Sequence, residues 1–125
     1  MKAFKREDVE EKHLPGRLLQ LVVGGNDAVS SSSVMTMGFA HYSVESGKME
    51  PHRHAEEIVL VLNAENGWIR CGGFSDEPDE IGKPEPLEEG MVLHIPENEW
   101  HVFGYDEGGY VDIAFFYAQS DIYSR

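Results

Sequence analysis

Apolar positions in this chain fall in short runs, either alternating or filling both faces, with Gly, Pro, Asn and Asp between them. Leu14-Pro15-Gly16 is a turn signal, and Arg17 to Val23 follows as a strand stopped by Gly24-Gly25-Asn26-Asp27. Ser30 to Ser33 reads as a loop. Val34 to Val44 alternates throughout. Met35, Met37, Phe39, His41 and Ser43 share one face, and Val34, Thr36, Gly38, Ala40, Tyr42 and Val44 share the other. After the turn Glu45-Ser46-Gly47-Lys48, Met49 to His54 is a short strand broken by Pro51, which suits an edge or a bulge. Glu57 to Asn63 is apolar on both faces, so both must be covered.

Asn63-Ala64-Glu65-Asn66-Gly67 has the composition of a hairpin turn, with Trp68 to Cys71 as the return strand. Residues 72–89 form the only long irregular stretch. From Asp76 to Glu89 it carries seven acids, one Lys and three prolines, which predicts a solvated loop. Met91 to Ile95, Trp100 to Tyr105 and Tyr110 to Tyr117 are further strands, separated by Pro96-Glu97-Asn98-Glu99 and Asp106-Glu107-Gly108-Gly109. No segment holds a 3.6-residue apolar period. Eight or so short strands with turns between them predict an all-β, antiparallel sandwich or barrel. Residues 1–13 are polar apart from Phe4 and Val9, and read as an arm. Residues 118–125 form a polar tail with two aromatic or bulky positions at Ile122 and Tyr123.

Length and charge narrow the picture. At 125 residues the chain reads as one domain, large enough to bury a core. The formal charge of −13 disfavours nucleic acid and anionic membrane surfaces as partners. Cys71 is the only cysteine, so no internal disulfide is possible. The charged start has no apolar stretch behind it, and no run approaches the ~18 apolar residues of a membrane span. A cytoplasmic protein is the expectation. The two-sided apolar runs Ile58 to Leu62 and Ala114 to Tyr117 exceed what one small barrel covers, which predicts a homodimer through sheet faces, with residues 1–12 as a possible crossing arm.

The chemistry concentrates in His52-Arg53-His54-Ala55-Glu56-Glu57. On a strand, residues two apart share a face, so both imidazoles can enter one cavity with a carboxylate close behind. Neutral imidazole and carboxylate suit a divalent transition metal: Fe, Mn, Ni, Zn, Co or Cu. His101 opens a later strand and is the natural further ligand. Glu56 competes with Glu57 for the carboxylate role. Arg53, between the two histidines, should point away from them.

These residues carry a family resemblance. Gly47-x4-His52-x-His54-x2-Glu57-x6-Ala64 resembles the first cupin motif, Gly-x5-His-x-His-x3-4-Glu-x6-Gly. Gly90-x5-Pro96-x-Asn98-x2-His101-x3-Tyr105 resembles the second, Gly-x5-Pro-x-Gly-x2-His-x3-Asn. The first is one residue short before His52 and one short before Glu57. Ala64, Asn98 and Tyr105 replace Gly, Gly and Asn, and Asn98 tolerates the left-handed turn that the second motif needs there. The resemblance covers residues 47–105. It implies a jelly-roll barrel, the cupin double-stranded β-helix, in which His52, His54, Glu57 and His101 bind one metal.

Function is less constrained. Cupins with this ligand set include dioxygenases, isomerases, lyases and plain binding proteins, and the fold does not choose among them. The expectation is a small metal-dependent enzyme, an oxygenase or an isomerase/lyase, acting on a small organic substrate that ligates the metal. A non-catalytic cupin that binds or senses a small molecule is the alternative. Tyr42, Tyr105, Phe103 and His41 are the candidate substrate contacts. A strongly anionic substrate is disfavoured by the acidic chain unless the mouth is locally positive.

Overall fold

The computed structural model describes residues 1–78 and 81–118. Eight strands form one sheet of order β1-β2-β4-β8-β5-β6, with β3 beside β2 and β7 beside β5. They are β1 (Lys12–Leu14), β2 (Arg17–Gly24), β3 (Ser30–Ser31), β4 (Thr36–Tyr42), β5 (Glu57–Cys71), β6 (Glu85–Pro86), β7 (Val92–Ile95) and β8 (His101–Tyr117). Every pairing is antiparallel except β2 with β3. The sheet rolls up as the predicted antiparallel jelly-roll barrel. The named helical elements are two short 3-10 turns, Arg6–Asp8 and Val44–Ser46.

Two expected turns are bends inside long strands. Asn63 to Gly67 lies within β5, and Asp106 to Gly109 lies within β8. The two strands pair along nearly their whole length, from Glu57–Tyr117 to Cys71–His101, with bulges after Val61 and after Glu65. Asn66 and Gly108 take positive φ, 49° and 78°. The turn residues therefore bend the strands instead of reversing them, because bulges increase local twist and re-aim a strand. This brings the two ends of β5 back to one end of the barrel. Met49 to His54 is not a strand either. It pairs only through a single bridge, His52 to His101.

β4 alternates as expected. Thr36, Gly38, Ala40 and Tyr42 are buried, and Met37, Phe39 and His41 on the other face are half-buried. Gly38 is required by close packing: a Cβ there would strike the Gln20 carbonyl and the Phe115 ring. One hydrophobic cluster runs from Leu19 and Leu21 through Val59, Val61 and Ile69 to Ile113, Phe115 and Tyr117. Met35, which shares a face with Met37 and Phe39 by alternation, precedes the first residue of β4 and is exposed.

The N-terminal arm docks on its own chain. The Arg6 guanidinium donates twice to the Asp112 carboxylate, at 2.7 and 2.8 Å, and lies 4.6 Å over Phe39. The buried Gln20 amide donates to the Arg6 and Val9 carbonyls, and Val9 is itself buried. These contacts seat the arm on its own barrel. The stretch 72–89 is likewise less free than its acids suggest. Glu85 and Pro86 pair with β5, Leu87 is buried, and the Arg70 side chain donates to the Gly82 carbonyl. Residues 79–80 of that stretch, and 119–125 of the tail, lie outside the described residues.

Candidate metal centre

Three segments of the chain meet around His101. The loop before β5 carries His52 and His54, the first residue of β5 is Glu57, and the first residue of β8 is His101. Backbone bonds clamp the first two motifs together. The His52 N–H donates to the His101 carbonyl at 3.0 Å, the His101 N–H donates back at 2.9 Å, and the Asn98 N–H donates to His54 at 2.8 Å. Asn98 makes that turn at φ 66°, the left-handed geometry anticipated for it.

One nitrogen from each of His52, His54 and His101 lies within 4.8 Å of the others. The Glu57 carboxylate Oε1 is 3.5 Å from His101 Nε2 and 3.8 Å from His54 Nε2. Ligands about 2.1 Å from an ion sit roughly 3 to 4 Å apart. The other ring nitrogens face carbonyls: His101 Nδ1 that of Glu99 at 2.9 Å, His54 Nδ1 that of Ala55 at 2.9 Å, and His52 Nδ1 that of Glu50 at 3.4 Å. A carbonyl only accepts, so each Nδ1 carries the hydrogen and Nε2 offers its lone pair.

The decisive feature is what these atoms lack. His54 Nε2, Glu57 Oε1 and His101 Nε2 are fully buried without a hydrogen-bond partner. A buried unpaired polar atom costs about 1–3 kcal/mol, and a metal ion held among the three would remove that cost. The residues fit a divalent metal. Burial sets their protonation. It lowers His52 to about 2, helped by His101 and His54, lowers His101 to about 4, and lowers His54 as well. Burial also raises the Glu57 carboxyl to about 8, against a hydrogen bond from Tyr117 and the charge of Arg17. At neutral pH the metal-free site is thus three neutral imidazoles and a protonated acid.

Glu57, 2% exposed, sits with the histidines. Glu56 pairs instead with His94 on the outer surface. Arg53 points away as expected: it donates to the Phe74 and Ser75 carbonyls at 3.1 and 2.8 Å and lies 4.8 Å over the Trp100 ring. Of the substrate candidates, Tyr42 and Phe103 are buried and stack at 4.9 Å. Tyr105 is half-buried, donates to the Gly47 carbonyl at 3.3 Å, and lines a cavity of about 550 Å³ with Met49, Pro51 and Phe103. His41 is not gathered in. Alternation turns it to the outer face of β4, where Nδ1 meets Asp112 at 2.9 Å and the ring stacks on Tyr110.

Two neighbours of the site were not anticipated. Tyr117 holds Glu57 and sets its ring edge-on against His54 at 4.5 Å. Strand parity in β8 could have found it, since it stands opposite Glu57. Arg17 is the other, and its signal was the alternation of β2.

No protein-family model and no curated protein matches the sequence. Among solved structures, several are similar to this chain in fold. The polyketide cyclase RemF from Streptomyces resistomycificus is similar to this chain at TM-score 0.70 and 23% identity, over 94% of this chain and 78% of that one. The cupin domain of Cnp3 from Schizosaccharomyces pombe is similar at 0.64 and 8%, over 96% and 75%. The iron(II) form of HppE is similar at 0.67 and 13%, and this chain spans 94% of itself but 60% of that protein. The chain has the cupin fold.

Proposed function

We propose that the chain is a metal-dependent cupin enzyme, with His52, His54, Glu57 and His101 holding one divalent transition metal and a small organic molecule as substrate. The observation that carries this reading is the convergence of three buried, unpartnered ligand atoms beside His52. A metal held there would supply a Lewis acid or a redox centre. The protein's own share is positional. The Glu50, Ala55 and Glu99 carbonyls fix the imidazole rings, and Tyr117 holds Glu57 so that Oε1 faces His101. Tyr42 and Phe103 make an apolar wall that excludes water and packs against a carbon skeleton. The cyclase RemF and the iron(II) protein HppE share this fold, which supports an enzymatic role over a purely structural one.

Elemental analysis of protein purified without chelator should find about one metal ion per chain. Turnover is then sought with a panel of small oxygenated substrates, following oxygen uptake and product isomers separately. Metal-free protein that cannot be loaded would reject the reading. Loaded protein that binds panel members without converting any would leave the binding module in its place.

A further inference from the structure

The inner row of β2 leads to the site. Leu19 and Leu21 belong to the core cluster, and alternation sets Arg17 on their face at the start of the strand. Leu18 stands opposite His41, so Arg17, one step on, comes level with Tyr42. Tyr42 stacks on Phe103, and Phe103 shares its strand face with His101 two residues earlier. From the other side, the Gly16 N–H donates to the Ser46 carbonyl at 2.8 Å. A Cβ on Gly16 would come within 3.0 Å of the Met49 Cα, so Arg17 leaves the turn against the segment that carries His52. In keeping with that placement, its positive charge is felt at His52, His54 and Glu57 alike.

A cation beside a metal site opposes metal binding. An anion between them reverses that cost. The chain as a whole carries −13, so attraction for an anionic substrate must be local. A guanidinium offers five N–H donors in a fork that matches a carboxylate, and a single contact with the protein does not exhaust them.

We infer that Arg17 determines specificity by binding the carboxylate of a small organic acid whose second oxygen group reaches the metal held by His52, His54, Glu57 and His101. The acid's carbon chain lies along the Tyr42–Phe103 wall. This inference rests on the metal reading above and adds the substrate class to it.

Cobalt(II) is the probe for the metal, and malonate, glycolate and the neutral glycolamide are the probes for the acid. Cobalt uptake by the full chain is measured first, then the shift of the cobalt absorption bands on adding each compound. Arg17→Gln should weaken malonate and glycolate by about tenfold or more, leave glycolamide unchanged, and hold cobalt at least as tightly as the parent protein. Arg17→Lys should fall between the two, because the charge survives and the fork does not. A merely structural arginine would not move acid and metal affinity in opposite directions. Equal acid binding in parent and Arg17→Gln, or glycolamide as tight as glycolate, or no acid bound at millimolar concentration, overturns the inference while the metal site stands. If Arg17→Gln fails to fold, Arg17→Lys decides by the same comparison. Failure of the parent protein to take up cobalt overturns the metal reading, and this one with it.

Discussion

Two clusters in this barrel contain the same residue types. On the outer face, His41 meets Asp112, which also takes two bonds from Arg6. Inside, His52, His54 and His101 come together, and Glu57 meets His54 and His101. Outside, each carboxylate oxygen is engaged by a donor, and the pair pins the N-terminal arm. Inside, three buried atoms have no hydrogen-bond partner. Imidazole next to carboxylate is therefore not by itself the mark of a site. Satisfaction makes the outer cluster structural, and its absence leaves the inner cluster with atoms that could hold a metal ion.

The largest test removes an inner ligand. His101→Ala should abolish stoichiometric metal uptake, and His52→Ala should cost at least two orders of magnitude in affinity, above the ~10–100-fold typical of groups that only support a ligand. Elemental analysis after desalting measures both, and full occupancy in the pair would reject the ligand set. Next comes the carboxylate. Because burial holds the Glu57 proton up to about pH 8, an ion must displace it at neutral pH. Affinity should fall about tenfold per pH unit below pH 8, and roughly one proton should leave per ion, read by calorimetry in buffers of different ionisation enthalpy. Glu57→Gln should abolish the proton release. Metal-free protein should have its own dependence. Its buried imidazoles, depressed from 6.5, remain neutral while those of the unfolded chain take up protons, so their contribution to stability is lost as pH falls below 6.5.

The inner cluster was more legible in the sequence than its frame. His52, His54 and Glu57 are near neighbours in the chain, and the spacing from Gly90 to His101 picked out the histidine that the structure brings beside them. The strand count was legible too, but the ends of β5 and β8 were not. Asn66-Gly67 and Gly108-Gly109 carry turn chemistry whether they reverse a strand or bulge it, and only pairing partners far along the chain decide which. Glu56 and Glu57 could not be separated by composition; the pairing of Glu57 with Tyr117 across β5 and β8 separates them. His41 was visible as a histidine on an apolar strand, but which face of β4 looks inward depends on β2 and β8. Arg17 was hidden because one arginine at a strand start is ordinary until its parity meets the core.

A smaller effect concerns the outer face beyond the arm. Ile58 pairs with Phe116, and Leu60 with Val92, so these apolar side chains lie side by side. Ile58, Phe116 and Val92 are 48%, 41% and 66% exposed. The Glu56–His94 pair lies at the rim of this patch, with His94 opposite Ile58, and the four apolar side chains leave a face that a second copy of this chain would cover, which is the occupant we propose. Sedimentation should show a dimer at micromolar concentration, and Ile58→Asp with Val92→Asp should give monomer that still binds metal. A monomeric parent protein would reject the homodimer.

The smallest effect sharpens the contrast between the clusters. Asp112→Asn should cost about 1–2 kcal/mol of stability, because Arg6 and His41 lose a charged acceptor at a partly exposed site. Metal affinity should not change. Burial would raise the Asp112 carboxyl, but hydrogen bonds and charge from Arg6 and His41 outweigh it and leave it below its ordinary 3.8. The stabilisation is therefore complete above that value and is lost as pH falls through the lower folded one. Urea unfolding from neutral to acid pH should show that loss in the parent protein, with the Asp112→Asn curve lower at neutral pH and converging on it in acid. An Asp112→Asn protein that loses metal at unchanged stability would erase the distinction, for then the outer pair would serve the site within.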